Sequence, residues 1–589
     1  MGGLFSSLRY AFQSIKSLVD GYETLSKRIA LSPGVPQLNS SVPYWSIPLS
    51  PVAQHGKDKE LPLYADVVVI GSGISGTSVA KALLDHVRGD PDSKYVEPLK
   101  VVMLEARDAC SGATGRNGGH VVPNVYTEYF QLKKAYGAPM AREILRFRLS
   151  HISTLIDLAE EEGLLAESQA RLVDDFDAFL HPEMFEQARK ELDAYLKEVP
   201  KDLAEGFGVV EGREAIDKLQ LCKSIHGCIL KPGASIHPYR FITGLLDKLL
   251  TRYPNFELFT HTPCTNISSK NGIYTVSTPK GNINTPHVIH ATNAWSSHLL
   301  PGMRKKIIPT RLHMSTQRPG YGLMPAPSNP QPNSQSNWAS TRAFLFFSSM
   351  QEISSGKLKP EFAFDYLTQL LPASDDPTTT PLPTSGEFMF GGGAMLGGRS
   401  EGALLSNIGV VDDSAGDFEI EAYLSGALQQ YFAEHWGQER SDPAEAPSGE
   451  NVPWGKGRVK ASWTGIIAIS ADMQPWVGRV PESVSGRKAP RSVLLPAPPH
   501  PRPPQRAPSC STSTHSTIEV DPNPPLAAPG EWILAGYTGE GMVHAWLSGH
   551  ALAKMILGVA GDEKGIPGLP SPFLITEKRV KAAKFEDLL

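Results

Sequence analysis

Three glycines, Gly71, Gly73 and Gly76, stand in "YADVVVIGSGISGTSVAKALL" between a valine-rich apolar run and a helical pattern. In a phosphate-binding turn each has a separate task. Gly71 makes the tight turn after a strand, Gly73 lets a pyrophosphate approach the backbone, and Gly76 lets helix and strand pack closely. The helix start, with Ile74 and Ser75, offers unpaired N–H groups and the positive end of the helix dipole. Such a turn needs an acid at the end of the next strand to hold ribose hydroxyls. "LKVVMLEA" supplies Glu105, followed by Ala106. Its separation from the glycines exceeds the usual interval of about 20, and a polar insertion at 89–98 accounts for the excess. The chemistry implied is binding of an adenosine-containing dinucleotide. The bland alternative is a glycine turn with no ligand.

NAD and FAD both answer to that description. After Glu105 the chain continues "EARDACSGATGRNGGH", small residues and glycines where an NAD-binding fold would start another helix. Such a run lets backbone pass close to a large flat group. Taken together, these motifs resemble the D-amino-acid-oxidase/sarcosine-oxidase superfamily of FAD-dependent oxidoreductases, in particular the branch containing gamma-glutamylputrescine oxidoreductase. The resemblance covers most of residues 60–560 and rests on motifs in the family's order. It implies that Ser111, Thr114, Gly115, Arg116, Asn117, Gly118 and Gly119 line the pyrophosphate and flavin. In "HTPCTNI" it puts Cys264 beside the adenine, and in "HATNAW" it brings Ala291, Thr292 and Trp295 beneath the cofactor. "WTGIIAISADMQPWVG" contributes Gly465. "WILAGYTGEGMVHAWLSGHALAKMI" carries Gly536, Tyr537, Gly539, Glu540, Gly541 and Met542 past the flavin ring into a final helix. That helix start can aim N–H groups at the pyrimidine side of a flavin and stabilise negative charge there.

On the substrate side the resemblance implies hydride transfer from an amine-bearing carbon to the flavin, with the imine hydrolysed by water. O2 is the expected acceptor and H2O2 the product. A dehydrogenase with another electron acceptor and a noncatalytic FAD-binding protein are the alternatives. His237, in "PGASIHPYRF", is the polar candidate for taking a proton from the substrate amine; a His capping the following helix is the competing reading. Tyr366 and Trp463 are candidate walls of an amine cage, with His313 and Gln317 as weaker polar candidates. In the superfamily the chain resembles, Cys-linked flavins use a cysteine nearer the C-terminus than Cys110; the C-terminal part here has Cys510 alone, in a Pro-rich stretch, so the resemblance implies noncovalent FAD. No metal site is assigned.

The elements that must hold these residues give an α/β fold. It combines a discontinuous Rossmann-like FAD-binding domain with an α+β substrate domain built on an antiparallel sheet. The FAD domain takes 60–130, 225–300 and 455–560; the substrate domain takes 131–224, read as largely helical, and 301–454. Residues 1–59 form a helix and an extended lead-in, and 561–589 a tail. A net charge of −5 over 589 residues excludes a strongly basic surface and argues against a nucleic-acid partner. No apolar run reaches the ~18 residues of a membrane span. Five cysteines, an odd number without C-x-x-C, read as reduced thiols and a cytoplasmic setting. The N-terminus complicates this. Phe5, Leu8, Phe12, Ile15 and Val19 share a helical stripe, and Gly2 with Ser6 fits a myristoylation pattern. Mitochondrial targeting, weak membrane association and simple packing on the body all fit it. The Pro-rich basic segment 484–529 reads as a surface insertion that an SH3-like domain could bind.

Overall fold

The strand Val67–Ile70 is apolar at every position and buried at every position, as a parallel strand covered on both faces must be. It lies inside a six-stranded sheet. The order is Trp476–Arg479, Gly530–Ala535, His287–His290, Val67–Ile70, Val101–Leu104, Phe256–Phe259. All neighbours are parallel except the outermost pair, Trp476–Arg479 with Gly530–Ala535. The computed structural model describes residues 20–88, 98–270, 273–323, 340–347, 364–372, 386–393, 406–439, 455–489, 526–558 and 568–588.

Sterics fix the first turn. Gly71 has φ +111°, and a Cβ there would lie 2.5 Å from the Ala291 carbonyl oxygen. A Cβ on Gly76 would lie 1.9 Å from the Gly71 oxygen, so helix Ile74–Arg88 can start this close to the strand only with glycine. The same helix packs on the last long one, Ala545–Ile556. Ser78 Oγ donates to the Trp546 carbonyl at 2.5 Å, and Gly549 leaves room for the Ser78 side chain.

The second domain rests on a sheet of nine strands among the described residues. Its order is Val459–Ser470, Ile307–Gln317, Phe388–Gly392, Asp365–Gln369, Arg342–Phe347, Arg171–Phe179, Gly227–Ser235, His120–Val121, with Gly208–Glu211 also on Gly227–Ser235. It is antiparallel apart from the pair Arg342–Phe347 and Arg171–Phe179. Asn266–Lys270, Ile273–Thr278 and Gly281–Thr285 form a separate three-stranded antiparallel meander.

Three expectations need correction. Strands Gly227–Ser235 and Val459–Ser470 lie in the larger sheet although the sequence boundaries at 225 and 455 give them to the FAD domain. The largely helical stretch 131–224 contains the nine-residue strand Arg171–Phe179. Its Asp175 and Asp177 point inward, where Lys231 Nζ meets them at 3.3 and 2.5 Å and Tyr126 donates to Asp177 at 2.8 Å. The lead-in is not merely extended: it turns through Tyr44–Ser46 and buries Trp45, whose Nε1 donates to the Asn117 carbonyl at 2.6 Å. Residues 20–30 are helical, and Leu25 and Ile29 pack with Ile308, Ile469 and Phe585. The apolar stripe Phe5–Val19 and the Gly2–Ser6 pattern lie outside the described residues. Among the described residues no helix is long and apolar enough to cross a membrane.

The Pro-rich segment is narrower than 484–529. Val484 and Ser485 belong to a short buried helix, Glu482–Ser485, and 526–529 lead into the sheet. The stems on either side bind each other. Trp476–Arg479 and Gly530–Ala535 are hydrogen-bonded neighbours, and Arg479 Nη1 donates to the Ala528 carbonyl at 2.7 Å. Arg487 clasps Glu531 with hydrogen bonds of 2.8 and 2.6 Å.

Two predictions follow from these stems. Because they close without 490–525, replacing that segment by a short Gly/Ser linker is expected to leave flavin absorbance and the melting temperature unchanged. A fall of more than ~5 °C, roughly 6 kcal/mol at the ~2.1 cal/mol/K per residue typical of globular chains, would show the segment to be structural. The second concerns acid. Burial pushes Glu531 up, but hydrogen bonds from Arg487 and His290 outweigh it and hold the carboxyl at about 2, below its ordinary 4.5. A depressed carboxyl stabilises the fold above pH 4.5 and loses that contribution as pH falls toward 2. At about 1.4 kcal/mol per unit this is on the order of 3 kcal/mol. Unfolding midpoints measured from pH 6 downward are expected to fall less steeply in Glu531→Gln than in the parent.

Candidate functional site

A cavity of about 530 Å³ opens at the C-terminal ends of Val67–Ile70 and Val101–Leu104. There the chain leaves one half of the parallel sheet for the other, and Ile70, Leu104 and Ala291 all reach the cavity. This is the topological switch point where open α/β sheets bind ligands.

At one end lie Gly71, Ser72, Gly73, Ile74, Ser75, Glu105 and Ala106. Glu105 is fixed by three donors: Ser72 N at 3.1 Å, Ser72 Oγ at 2.6 Å and Arg107 N at 3.1 Å. Ile74 N donates to Thr114 Oγ1 at 3.1 Å. A Cβ on Gly73 would stand 2.9 Å from that same oxygen, so a side chain there meets Thr114 before any ligand. Cys264, Thr292 and Trp295 line this part too, with Gly34–Pro36 of the lead-in. The buried Trp295 Nε1 has no hydrogen-bond partner among the described residues, a donor left for a bound group.

The turn at the start of the chain meets the motif near its end. Ser75 Oγ and Tyr537 OH are 2.8 Å apart across 462 positions, and Gly539, Glu540, Gly541 and Met542 continue the wall. The 3-10 turn Gly541–Val543 then leads into Ala545–Ile556. Opposite, Asn117, Gly118, Gly465 and the stem of Arg116 complete the middle of the cavity. Gly118 lies against Tyr366, where a Cβ would come within 2.7 Å of the ring. Leu312, Met314, Leu345, Phe364 and Tyr366 make an apolar slot beyond, with His120 at its edge.

Several expected residues stand behind the wall. Gly76, Ser111, Gly115, Gly119 and Gly536 do not line the cavity but shape its backing. Gly119 and Gly536 have φ +78° and +77°. Arg116 spends its guanidinium on the protein, donating to Ser111 O, Thr464 O, Ser40 Oγ and Ser41 O at 2.7–2.8 Å. Burial, with Arg107 nearby, lowers it to about 10.

His237 is corrected. It caps helix Pro238–Arg252, its Nδ1 accepting from Arg240 N at 3.3 Å, and its ring packs edge-on against Trp45 at 4.5 Å. It does not line the cavity, so it is placed to hold the helix and not a substrate. His313 accepts from Asp417 N, Gln317 donates to Ser315 and Leu424, and Trp463 donates to the Arg116 carbonyl. All three are buried away from the cavity. Burial pushes the Cys110 thiol well up, and it too is outside the lining.

Sequence reading missed Glu128 and Arg148, which form an acid–base cluster with Glu540 on the cavity wall. Arg148 is buried within helix Ala138–Glu161 and lines the cavity with Glu128 and Glu540. Its Nη1 donates to Glu128 Oε2 at 2.6 Å and lies 3.5 Å from Glu540 Oε2, while Nε donates to His544 Nε2 at 3.0 Å. The sign was available: Arg148 falls on the apolar stripe Ile144, Leu145, Ile152, Leu155, where a charge needs a reason.

His237→Ala is expected to lower stability by about 1 kcal/mol from the lost cap alone, and further from the space left beside Trp45. Holoenzyme that survives is expected to have its flavin reduced at the parent rate. Melting curves read beside stopped-flow reduction check this; a slower reduction at parental stability would return His237 to the reaction.

Comparison with known proteins gives the family. Residues 66–555 match the family described as FAD dependent oxidoreductase. The chain is 24% identical over 277 residues to the probable oxidoreductase OrdL of Haemophilus influenzae, covering 44% of this chain and 56% of that protein. It is 40% identical over 81 residues to flavin-containing amine oxidase A of Canis lupus familiaris, 14% of this chain and 12% of that one. The chain thus spans just over half of the first relative and a small part of the second. In fold it is similar to L-amino acid deaminase from Proteus vulgaris (TM-score 0.52, 16% identity, 90% of this chain and 98% of that one). Glycine oxidase from Geobacillus kaustophilus is also similar (TM-score 0.53, 14% identity, 88% and 99%). With the glycine turn, Glu105 and the C-terminal motif gathered on one cavity and five-sixths of its length matched, the chain belongs to the FAD-dependent oxidoreductase family.

Proposed function

We propose that this protein oxidises an amine or amino acid, with O2 as acceptor and an imine and H2O2 as products. The observation that carries the reading is the continuity of the cavity. It runs without a break from the turn at Gly71–Ser75, past Tyr537, to the apolar slot at Tyr366. A dinucleotide held at one end would present its reactive ring at the other.

Gly71, Gly73 and the start of helix Ile74–Arg88 would hold the pyrophosphate, and Glu105 the ribose. Cys264 and Trp295 would flank the adenine, while Asn117, Gly118, Gly465, Tyr537 and Gly539–Met542 would hold the ring. When bound, FAD supplies the two-electron acceptor for a hydride from the carbon bearing the amine. The protein's task is then placement. Leu345, Phe364 and Tyr366 exclude water and confine the substrate's apolar part, and the packed Gly118–Tyr366 contact fixes how far it enters. The imine hydrolyses on release, and O2 leaves as H2O2.

The test is colour under nitrogen. An amine or amino acid is expected to bleach the yellow holoenzyme, and air to restore it with H2O2 released. Bleaching that air does not reverse would indicate a dehydrogenase using another carrier. No bleaching by any amine or amino acid would leave a noncatalytic FAD-binding protein.

A further inference from the structure

The lead-in bears on how the cofactor is kept, and the inference drawn from it rests on the proposed placement of FAD, with its pyrophosphate at Gly71–Ser75 and a ribose at Glu105. The family match begins at residue 66 and ends at 555. Of the described residues that line the cavity, Gly34, Val35 and Pro36 alone lie outside that range. Both flanks of this triplet are tied to the wall. Ser32 Oγ and His298 Nδ1 are 2.9 Å apart, and Arg107 Nη1 donates to the Gln37 carbonyl at 3.3 Å. His298 and Arg107 line the cavity themselves, so residues 32–37 are held to its wall at each end and complete it between. Gly34 turns the chain there with φ +69°, its N donating to Ser32 Oγ at 3.3 Å.

The same wall holds an unpaired donor. Trp295 is 8% exposed, its Nε1 has no hydrogen-bond partner among the described residues, and Arg107 Cζ stands 6.0 Å from its ring centroid. A buried donor without an acceptor points to a ligand atom on this side of the cavity. The lead-in is held unevenly along its length. From residue 40 on it is firm: Arg116 Nη2 donates to Ser40 Oγ and Ser41 O at 2.7 and 2.8 Å, and Ser41 N to the Asp413 carbonyl at 2.8 Å. Before that, Leu31, Val35 and Leu38 are 68%, 37% and 73% exposed. Backbone whose apolar side chains stay so far in water opens locally at low cost.

We propose that residues 32–37 form a strap over the adenosine half of FAD, anchored at Ser40 and Ser41, and that the cofactor leaves only when the strap opens. Gly34, Val35 and Pro36 are then cofactor-holding residues from outside the family-matched region. FAD meets the strap only when it is closed, so bound FAD in turn holds it closed.

The test uses full-length holoenzyme and counts the flavin released into the filtrate over time. Ser32→Ala cuts the tie to His298 and is expected to speed release by about threefold to tenfold, the scale of one net hydrogen bond. The double variant Val35→Gly, Pro36→Gly removes the side chains of the wall and loosens the backbone, and is expected to speed release at least as much. Leu38→Ala, beside the strap but outside the lining, is expected to release FAD at the parental rate. Glu105→Gln serves as comparator, since a lost ribose contact also speeds release. Hydrogen exchange of the parent gives a readout that needs no variant: the amides of Gly34, Val35 and Gln37 are expected to exchange at least about tenfold more slowly with FAD bound than after its removal. Parental release from both strap variants, with faster release from Glu105→Gln, overturns the strap and leaves the cofactor placement standing. Parental release from all of them overturns both. Exchange at 34–37 that ignores FAD, or a Leu38→Ala effect as large as the others, also overturns the strap.

Discussion

The buried carboxylate of Asp413 holds the molecule together where its parts meet. It faces Arg107, two residues after Glu105, at 2.9 Å, and Arg116, from the glycine-rich loop, at 3.7 Å. The Asp413 carbonyl also accepts from Ser41 N, Ser41 Oγ and Thr464 Oγ1. One residue thus joins the FAD domain, the lead-in and the substrate domain. Two guanidinium groups out of water would be untenable alone, and one carboxylate with many neutral acceptors makes them tolerable. Removing that carboxylate would leave two buried charges facing each other directly behind the dinucleotide turn.

This constraint explains which parts of the site were legible in the sequence. Glycines are readable because their reason is local and steric: Gly71 and Gly76 leave no space for a Cβ, and no distant residue changes that. The Ser75–Tyr537 meeting was readable as two motifs in a familiar order. The role of Arg116 was not. Its position in the loop suggests a ligand contact, and only Asp413, nearly three hundred residues away, shows that its charge is already spent.

Charge also hid structure. Arg171–Phe179 reads "RLVDDFDAF", and three aspartates break the alternation that marks a strand. Two of them are buried because Lys231 of the neighbouring strand sits between them. His237 shows the converse. A histidine at the start of a helix answers equally to capping and to chemistry, and only the packing of Trp45 from the lead-in decides between them. Pattern rules assume that polar means outside; Arg116, Asp175 and Asp177 are inside because of charged partners remote in sequence.

The meeting of the first long helix with the last has a consequence for how the protein is made. Helix Ile74–Arg88 leaves the ribosome long before Trp546, its partner across 468 positions. At ~5–20 residues per second the delay is roughly 20–90 s. Throughout that interval the glycine turn exists without Tyr537, and the apolar back of its helix is uncovered. The nucleotide site is therefore assembled after nearly the whole chain has been translated. A chain halted before 530 would carry every residue of the glycine turn and still have no closed site, while exposing the surface that chaperones and proteases recognise.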